Sequence, residues 1–247
     1  MERGPRAPVA TFYAPDLPPS RGETSLGESA AHHAAVRRLS AGDEVRFTNG
    51  AGSVALGTIR RLTKRELVAE LRSPAQVPRP SPLEVLAPVA DRERMLWLAE
   101  KCAELGVTTW QPVVFSRSRS VVPRGEGEAF AAKVRARMVA ALEQSAGAWL
   151  PEVRRELPLD KAVASVTALS RYVLDQSGGR IDTALGGGGA AIVVGPEGGI
   201  EGDEQVVLRA SGWKPVSLAP TTLRFETAAI AAVAILRAST LTASPEG

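Results

Sequence analysis

The chain has 247 residues, of which 44% are apolar and 23% charged, with a formal net charge of +3 and one cysteine. That is enough chain for one large or two modest domains with a real core, and the composition is ordinary for a globular protein. It excludes an intramolecular disulfide, a zinc site of the usual ligand sets (two adjacent histidines and Cys102 are too few), and a run of the roughly 20 apolar residues that a bilayer requires.

Charge is unevenly spread. Residues 1–72 hold 11 Lys and Arg against 8 Asp and Glu, whereas residues 73–247 hold 19 of each. A basic N-terminal third fits contact with a polyanion, or a solvated surface. The opening "MERGPRAPVA" lacks the apolar core of a signal peptide, and with a lone cysteine this predicts a cytoplasmic protein.

In chain order, "TFYA" (11–14) reads as a short strand and "SAAHHAAVRRL" (29–39) as a helix with Ser29 at its N-cap. "DEVRFTNGAGSVALGTI" (43–59) has strand character on both sides of Asn49-Gly50, a hairpin-turn pair, and "RELVAEL" (65–71) supplies another strand. Short strands around one helix suggest a small β-barrel over residues 1–74. "SPAQVPRPSP" (73–82) carries four prolines, which predicts an extended linker over residues 75–82 and a domain break.

Residues 83–247 alternate strands and helices. "LEVLAPVA" (83–90) reads as a strand and "DRERMLWLAEKCAELG" (91–106) as a helix with Met95, Leu98, Cys102 and Leu105 at helical spacing. Cys102 is therefore expected in the core, and Gly106 just past the helix end. A strand over 107–115, a helix over 127–147, a helix over 160–169 and the strand "RYVLD" (171–175) follow. Next come a strand at 190–195, a helix at 202–212, a strand at 214–220 and a helix at 226–239. This alternation predicts an α/β domain with a parallel sheet covered on both faces.

Two loops in this domain invite a ligand. "AAIVVGPEGGIEGDEQ" (190–205) runs a buried strand into a Gly-Pro-Glu-Gly-Gly turn. Its glycines permit positive φ and close approach of a ligand to the backbone. It lacks the Gly-Lys-Ser/Thr of a phosphate loop and the spacing of a dinucleotide fingerprint, so a phosphate ligand does not suit it. The next strand ends in "LAPTTLRFETAA" (218–229), where Arg224 and Glu226 flank Phe225 before an apolar helix that has to be buried in a core or against another subunit. Ligands of open α/β sheets sit at the carboxyl ends of strands, so the two loops are expected to wall one pocket.

"VVGPEGGIEGDEQ" followed by "LAPTTLRFETAAIAAVAIL" resembles the C-terminal motifs of the bacterial 16S rRNA (uracil-N3)-methyltransferases, members of the SPOUT superfamily of knotted S-adenosylmethionine enzymes. The resemblance extends over nearly the whole chain through "HHAAVRRLSAGDEVRFTNGAG", "EKCAELGV", "QPVVFSRSRSV" and "ALEQSAGAWLPEV". It implies a PUA-like β-barrel for RNA over residues 1–74 and a SPOUT domain with a C-terminal trefoil knot over 83–247. It further implies S-adenosylmethionine as cofactor, N3 of a uridine in 16S rRNA of the small ribosomal subunit as acceptor, and a homodimer using neither metal nor membrane. Mapped onto this chain, the cofactor loops are Val194, Gly195, Pro196, Glu197, Gly198 and Gly199, then Leu218, Ala219, Pro220, Leu223, Arg224 and Thr227.

A cationic methyl donor explains a glycine loop that carries a carboxylate and no lysine. The reaction implied is in-line attack by deprotonated N3 on the sulfonium methyl, to which alignment contributes much. Arg224 is the expected stabiliser of charge on the uracil carbonyls, and Glu226 is expected as base, as organiser of Arg224 or as a partner of the helix dipole. Arg37 and Arg38 are expected to contact RNA, and Arg117 and Arg119 to do so or to be solvated. His32 and His33 are read as surface or packing residues. Where relatives carry a Lys-Gly or Arg-Gly pair this chain has Ala90-Asp91-Arg92-Glu93, where they carry an arginine after "EQS" and one residue it has Gly147, and Ala219 and Thr221 replace Gly and Arg of the usual second loop. Other readings of the same scaffold are methylation of another RNA base or of ribose 2′-O, and a non-catalytic RNA-binding or ribosome-assembly protein.

Overall fold

A computed structural model describes residues 10–120, 124–183 and 188–240, with the side chains of residues 119 and 120 excepted. The chain forms two compact units, one of Met1–Arg79 with Val139–Leu150, the other of Pro80–Met138 with Pro151–Gly247.

The first unit contains β1 (Thr11–Tyr13), β2 (Gly22–Leu26), α1 (Glu28–Val36), β3 (Glu44–Thr48), β4 (Ser53–Leu62), β5 (Leu67–Leu71) and β6 (Ala75–Gln76). The sheet runs β1-β3-β4-β5-β2, with β6 on β4; β1 is parallel to β3 and the other pairs are antiparallel. Inward residues of successive strands (Phe12, Val45, Phe47, Ile59, Leu67, Leu71) close on Ala34 of α1 in one core. The β3–β4 turn is held by Asn49, whose Oδ1 accepts from the N–H of Ala51 (2.8 Å) and Ser53 (3.0 Å). Gly50 and Gly52 both have positive φ there, and the space a side chain would fill is taken by Leu150 and Trp149.

Two expectations change here. Helix α1 begins a residue earlier than "SAAHH" suggests, so Gly27 is its N-cap, with no side-chain cap, and Ser29 lies inside the helix. The proline stretch is not a bare linker. It contains β6, and the carbonyls of Val77 and Pro78 accept from the Trp149 indole N–H (3.1 and 3.2 Å), under the Arg79 guanidinium. A segment from mid-chain thus packs into the first unit, which no boundary read from proline content anticipates.

The second unit contains β7 (Leu83–Pro88), α2 (Arg92–Glu104), β8 (Thr109–Val114), a 3-10 turn (Ser116–Ser120), α3 (Glu128–Gln144), β9 (Glu152–Val153), β10 (Leu157–Pro158), α4 (Leu159–Ala164), β11 (Ser170–Gly179), β12 (Ala190–Val194), α5 (Gly202–Ala210), β13 (Lys214–Val216) and α6 (Phe225–Ala238). The residues of α3 from Val139 onward group with the first unit. The strand order is β10-β8-β7-β12-β11-β13, with β9 on β8, and every ladder is parallel. Central β7 and β12 are buried throughout, so β12 reads as an unbroken apolar run and β7 as one interrupted only by Glu84. Leu86, Val113, Ala191 and Val193 pack with Ala162 and Val163 of α4 and Leu208 of α5. Helix α6 lies on β7 and β12 and against α2, with Ala229, Ala232, Val233 and Leu236 buried. The sheet is therefore covered on both faces.

Three elements are shorter than their sequence suggests. Helix α4 stops at Ala164 because the buried Glu84 carboxylate takes the N–H groups of Thr167 (3.1 Å) and Ala168 (3.0 Å), which a continuing helix would use. Helix α3 ends at Gln144, before Ala146 at φ 54°. Strand β13 ends at Val216, and residues 217–224 leave the sheet as a loop.

Candidate active site

The carboxyl ends of β11, β12 and β13 meet at one cleft of about 500 Å³. The β12 wall is Val194, Gly195, Pro196, Glu197, Gly199 and Ile200. The turn closes through the Gly199 N–H to the Pro196 carbonyl (2.8 Å), with Gly199 at φ 80°. A side chain at Gly195 would meet Ile200 Cγ1 at 2.7 Å, so glycine is what lets Ile200 fold over the loop. The β13 wall is the loop from Ser217 to Arg224, which continues into Phe225 and Ala228 of α6.

A third wall comes from a register slip in β11. Leu174 and Gly179 both stand opposite Val216, so the four residues between them bulge out. Bulges of this kind redirect side chains at sheet ends. Here Leu174, Asp175 and Gln176 reach the cleft. Asp175 accepts from the Ser177 N–H (2.8 Å) and hydroxyl (2.6 Å), and the Gln176 amide donates to the Pro220 carbonyl (3.3 Å), joining the bulge to the β13 loop.

The β12–α5 loop is gripped from two sides. Arg117, after β8, donates to the Gly198 carbonyl and pairs with Glu201 at 3.1 Å. Arg94, in the first turn of α2, pairs with Glu197. Past the loop, Glu204 accepts from the Glu201 N–H (3.0 Å) and from Ser116 N–H (2.8 Å), which fixes the start of α5. The charged side chains lining the cleft are Asp175, Glu197 and Arg224, with no lysine among the described lining residues. Among the described residues no group of His, Cys, Asp and Glu is arranged to hold a metal ion, and no helix is long and apolar enough to cross a membrane.

The structure sorts the sequence candidates. Val194, Gly195, Pro196, Glu197, Gly199, Leu218, Ala219, Leu223 and Arg224 line the cleft. Gly198, Pro220 and Thr227 do not: the carbonyls of the first two are turned to Arg117 and Gln176, and Thr227 is exposed on α6. Arg224 is the N-cap residue of α6. Glu226 stands apart from the cleft lining; it is buried, its approaching cation is Arg94 (3.9 Å from Nε) rather than Arg224, and its Oε2 has no hydrogen-bond partner among the described residues. Asp175, Gln176, Ile200 and Arg94 are additions that the sequence reading lacked. Of these, Asp175 and Gln176 were signalled by their place at the end of the "RYVLD" strand.

The expected RNA contacts scatter. Arg37 and Arg38 are exposed at the end of α1, Arg37 donating to His33 Nε2 (3.0 Å) and Arg38 at φ 57°. His33 packs on the Phe12 ring and lies 3.4 Å from Glu143. Arg21, Arg60, Arg61 and Arg72 instead pair with Glu70, Glu66 and Glu44, so much of the N-terminal basic excess is balanced locally. Arg117 is engaged at the glycine loop, and the Arg119 side chain lies outside the described residues.

A parallel sheet with a cleft at its carboxyl edge, in a chain that also holds a separate strand-rich unit, defines a class: residues 77–237 match the RNA methyltransferase domain and residues 26–72 the RNA methyltransferase PUA domain, and the chain belongs to this RNA methyltransferase family. Among particular relatives, it is 30% identical to the ribosomal RNA small subunit methyltransferase E of Mycobacterium bovis, covering 91% of this chain and 90% of that one. It is 27% identical to the protein of that name from Aquifex aeolicus, covering 85% and 92%. In fold it is similar to the ribosomal RNA small subunit methyltransferase E of Neisseria gonorrhoeae, solved bound to S-adenosyl methionine, with a TM-score of 0.83 at 24% identity over 93% of this chain and 97% of that chain.

Proposed function

We propose that the protein is a cytoplasmic methyltransferase that uses S-adenosylmethionine to methylate N3 of a uridine in 16S rRNA of the small ribosomal subunit. The observation that carries this reading is the cleft walled by the loops after β12 and β13 and by the β11 bulge. Its volume suits a cofactor of that size, and its lining suits the chemistry. Two carboxylates and no lysine among the described lining residues match a ligand that is cationic at sulfur and at the amino group. The names of the relatives and the bound ligand of the Neisseria protein support the same assignment.

Bound there, S-adenosylmethionine supplies an electrophilic methyl group. This chain's residues do the positioning. The aliphatic side chains of Val194, Ile200, Leu218 and Leu223 exclude water from the cleft, and the loop backbones orient what lies between them. Arg224, at the mouth of α6, stabilises negative charge on the uracil carbonyls when N3 is deprotonated. Glu226, buried and beside Arg94, serves as a structural acid rather than the base. Arg37 and Arg38 contact RNA phosphates. The trefoil threading and the homodimer implied by the family belong to the same proposal; the exposed Trp97 on α2 and Ile235 on α6 offer an apolar face for a second copy. The test is methyl transfer from labelled S-adenosylmethionine to unmodified 30S subunits and to naked 16S rRNA, followed by mapping. Methyl on uridine N3 is expected; methyl on another base or on ribose, or none, overturns the reading.

A further inference from the structure

Arg94 stands in the first turn of α2, where its N–H is held by the Asp91 carboxylate at the N-cap (3.0 Å). From that fixed origin its guanidinium reaches acids on two other elements. One nitrogen pairs with Glu197 in the loop after β12, and Nε lies 3.9 Å from Glu226 in the first turn of α6. Glu197 lines the cleft, whereas Arg94 and Glu226 do not. Glu226 is buried, and its Oε2 finds no hydrogen-bond partner among the described residues. Removing the cation beside a buried acid is costly, which makes the contact obligatory rather than incidental. Arginine is also the residue that can serve both acids: its nitrogens point along separate directions, whereas a lysine ammonium is a single point charge.

We infer that Arg94 is a positioning residue for the cofactor loop. By joining Glu197 to Glu226 it fixes the carboxylate in the β12 wall relative to the start of α6, where Arg224 and Phe225 enter the cleft, and so sets donor affinity without touching the donor. This rests on the reading that the cleft binds S-adenosylmethionine.

The experiment compares full-length wild type, R94K, E197Q and the R94K/E197Q double variant. Donor affinity is measured by calorimetry, hydrogen–deuterium exchange over residues 195–201 without ligand, and melting temperature as the control for folding. R94K and E197Q are each expected to weaken S-adenosylmethionine binding roughly tenfold with little change in melting. The double variant is expected to be no weaker than the weaker single, because both remove one interaction. In ligand-free R94K, residues 195–201 are expected to exchange faster. Unchanged affinity in R94K, additive losses in the double variant, or unchanged loop exchange would each overturn the assignment. If wild type fails to bind the donor while R94K still loosens the loop, the cofactor reading falls and the clamp stands.

Discussion

Arg224 occupies the N-cap position of α6 with no side-chain cap of its own and lines the cleft. If it stabilises charge on the acceptor base, Arg224→Ala lowers kcat for methyl transfer by about 10²-fold with donor affinity little changed, a split that steady-state kinetics and calorimetry separate. Glu70 offers a residue-scale test in the other unit. Hydrogen bonds from Arg21 and then Arg60 hold its carboxyl at about 2, below its ordinary 4.5. A depressed value stabilises the fold above the unfolded value, and that contribution fades as pH falls from 4.5 toward 2. The carboxylate sits at the surface, its side chain 35% exposed, so the effect is small and screened by salt. An NMR titration of Glu70 is expected to show its inflection near 2 and to move upward in high salt. At this scale the sequence was legible where local backbone decides the outcome, as at Gly199 with its positive φ. It was silent on Arg94, because a partnership among residues 94, 197 and 226 exists only after three separate elements pack.

Helix α2 carries more of the site than its place before the glycine loop suggests. Its N-cap Asp91 both starts the helix and seats Arg94, while its other end is held by Arg237 of α6, which donates to the carbonyls of Leu105 (3.2 Å) and Gly106 (2.5 Å). Asp91→Ala is expected to cost about 1 kcal/mol, a fall in melting temperature of roughly 2–4 °C by circular dichroism. The central strands were readable because two-sided burial writes an apolar run into β12 and, Glu84 apart, into β7. The β11 bulge was not. "DQSGG" reads as a turn that ends a strand, yet the chain rejoins the same partner at Gly179, since only glycine at 178 tolerates the backbone of Pro215 and Val216 against it. The short α4 likewise needed the acid of a distant strand to stop it.

At the scale of the molecule, the α2–α6 pair leaves Trp97 46% and Ile235 37% exposed. A second copy seated there predicts that sedimentation finds a dimer for wild type and a monomer for Trp97→Glu, with the circular dichroism spectrum unchanged. The alternation of strands and helices made the α/β class plain; proline content suggested a linker over 75–82, whereas the compact units divide after Arg79 and again around Val139–Leu150. What it missed is that Val139–Leu150 belongs with the strands of the N-terminal unit, through Trp149 above Gly52 and Leu150 above Gly50. During translation this has a cost in time. The β3–β4 hairpin, complete at Leu62, emerges almost ninety residues before the tryptophan that covers its turn, a wait of roughly 4–17 s at 5–20 residues per second. Until Trp149 arrives, the nascent N-terminal unit has an uncovered turn and an unsealed edge. Its folding therefore finishes only after a good part of the second unit has left the ribosome.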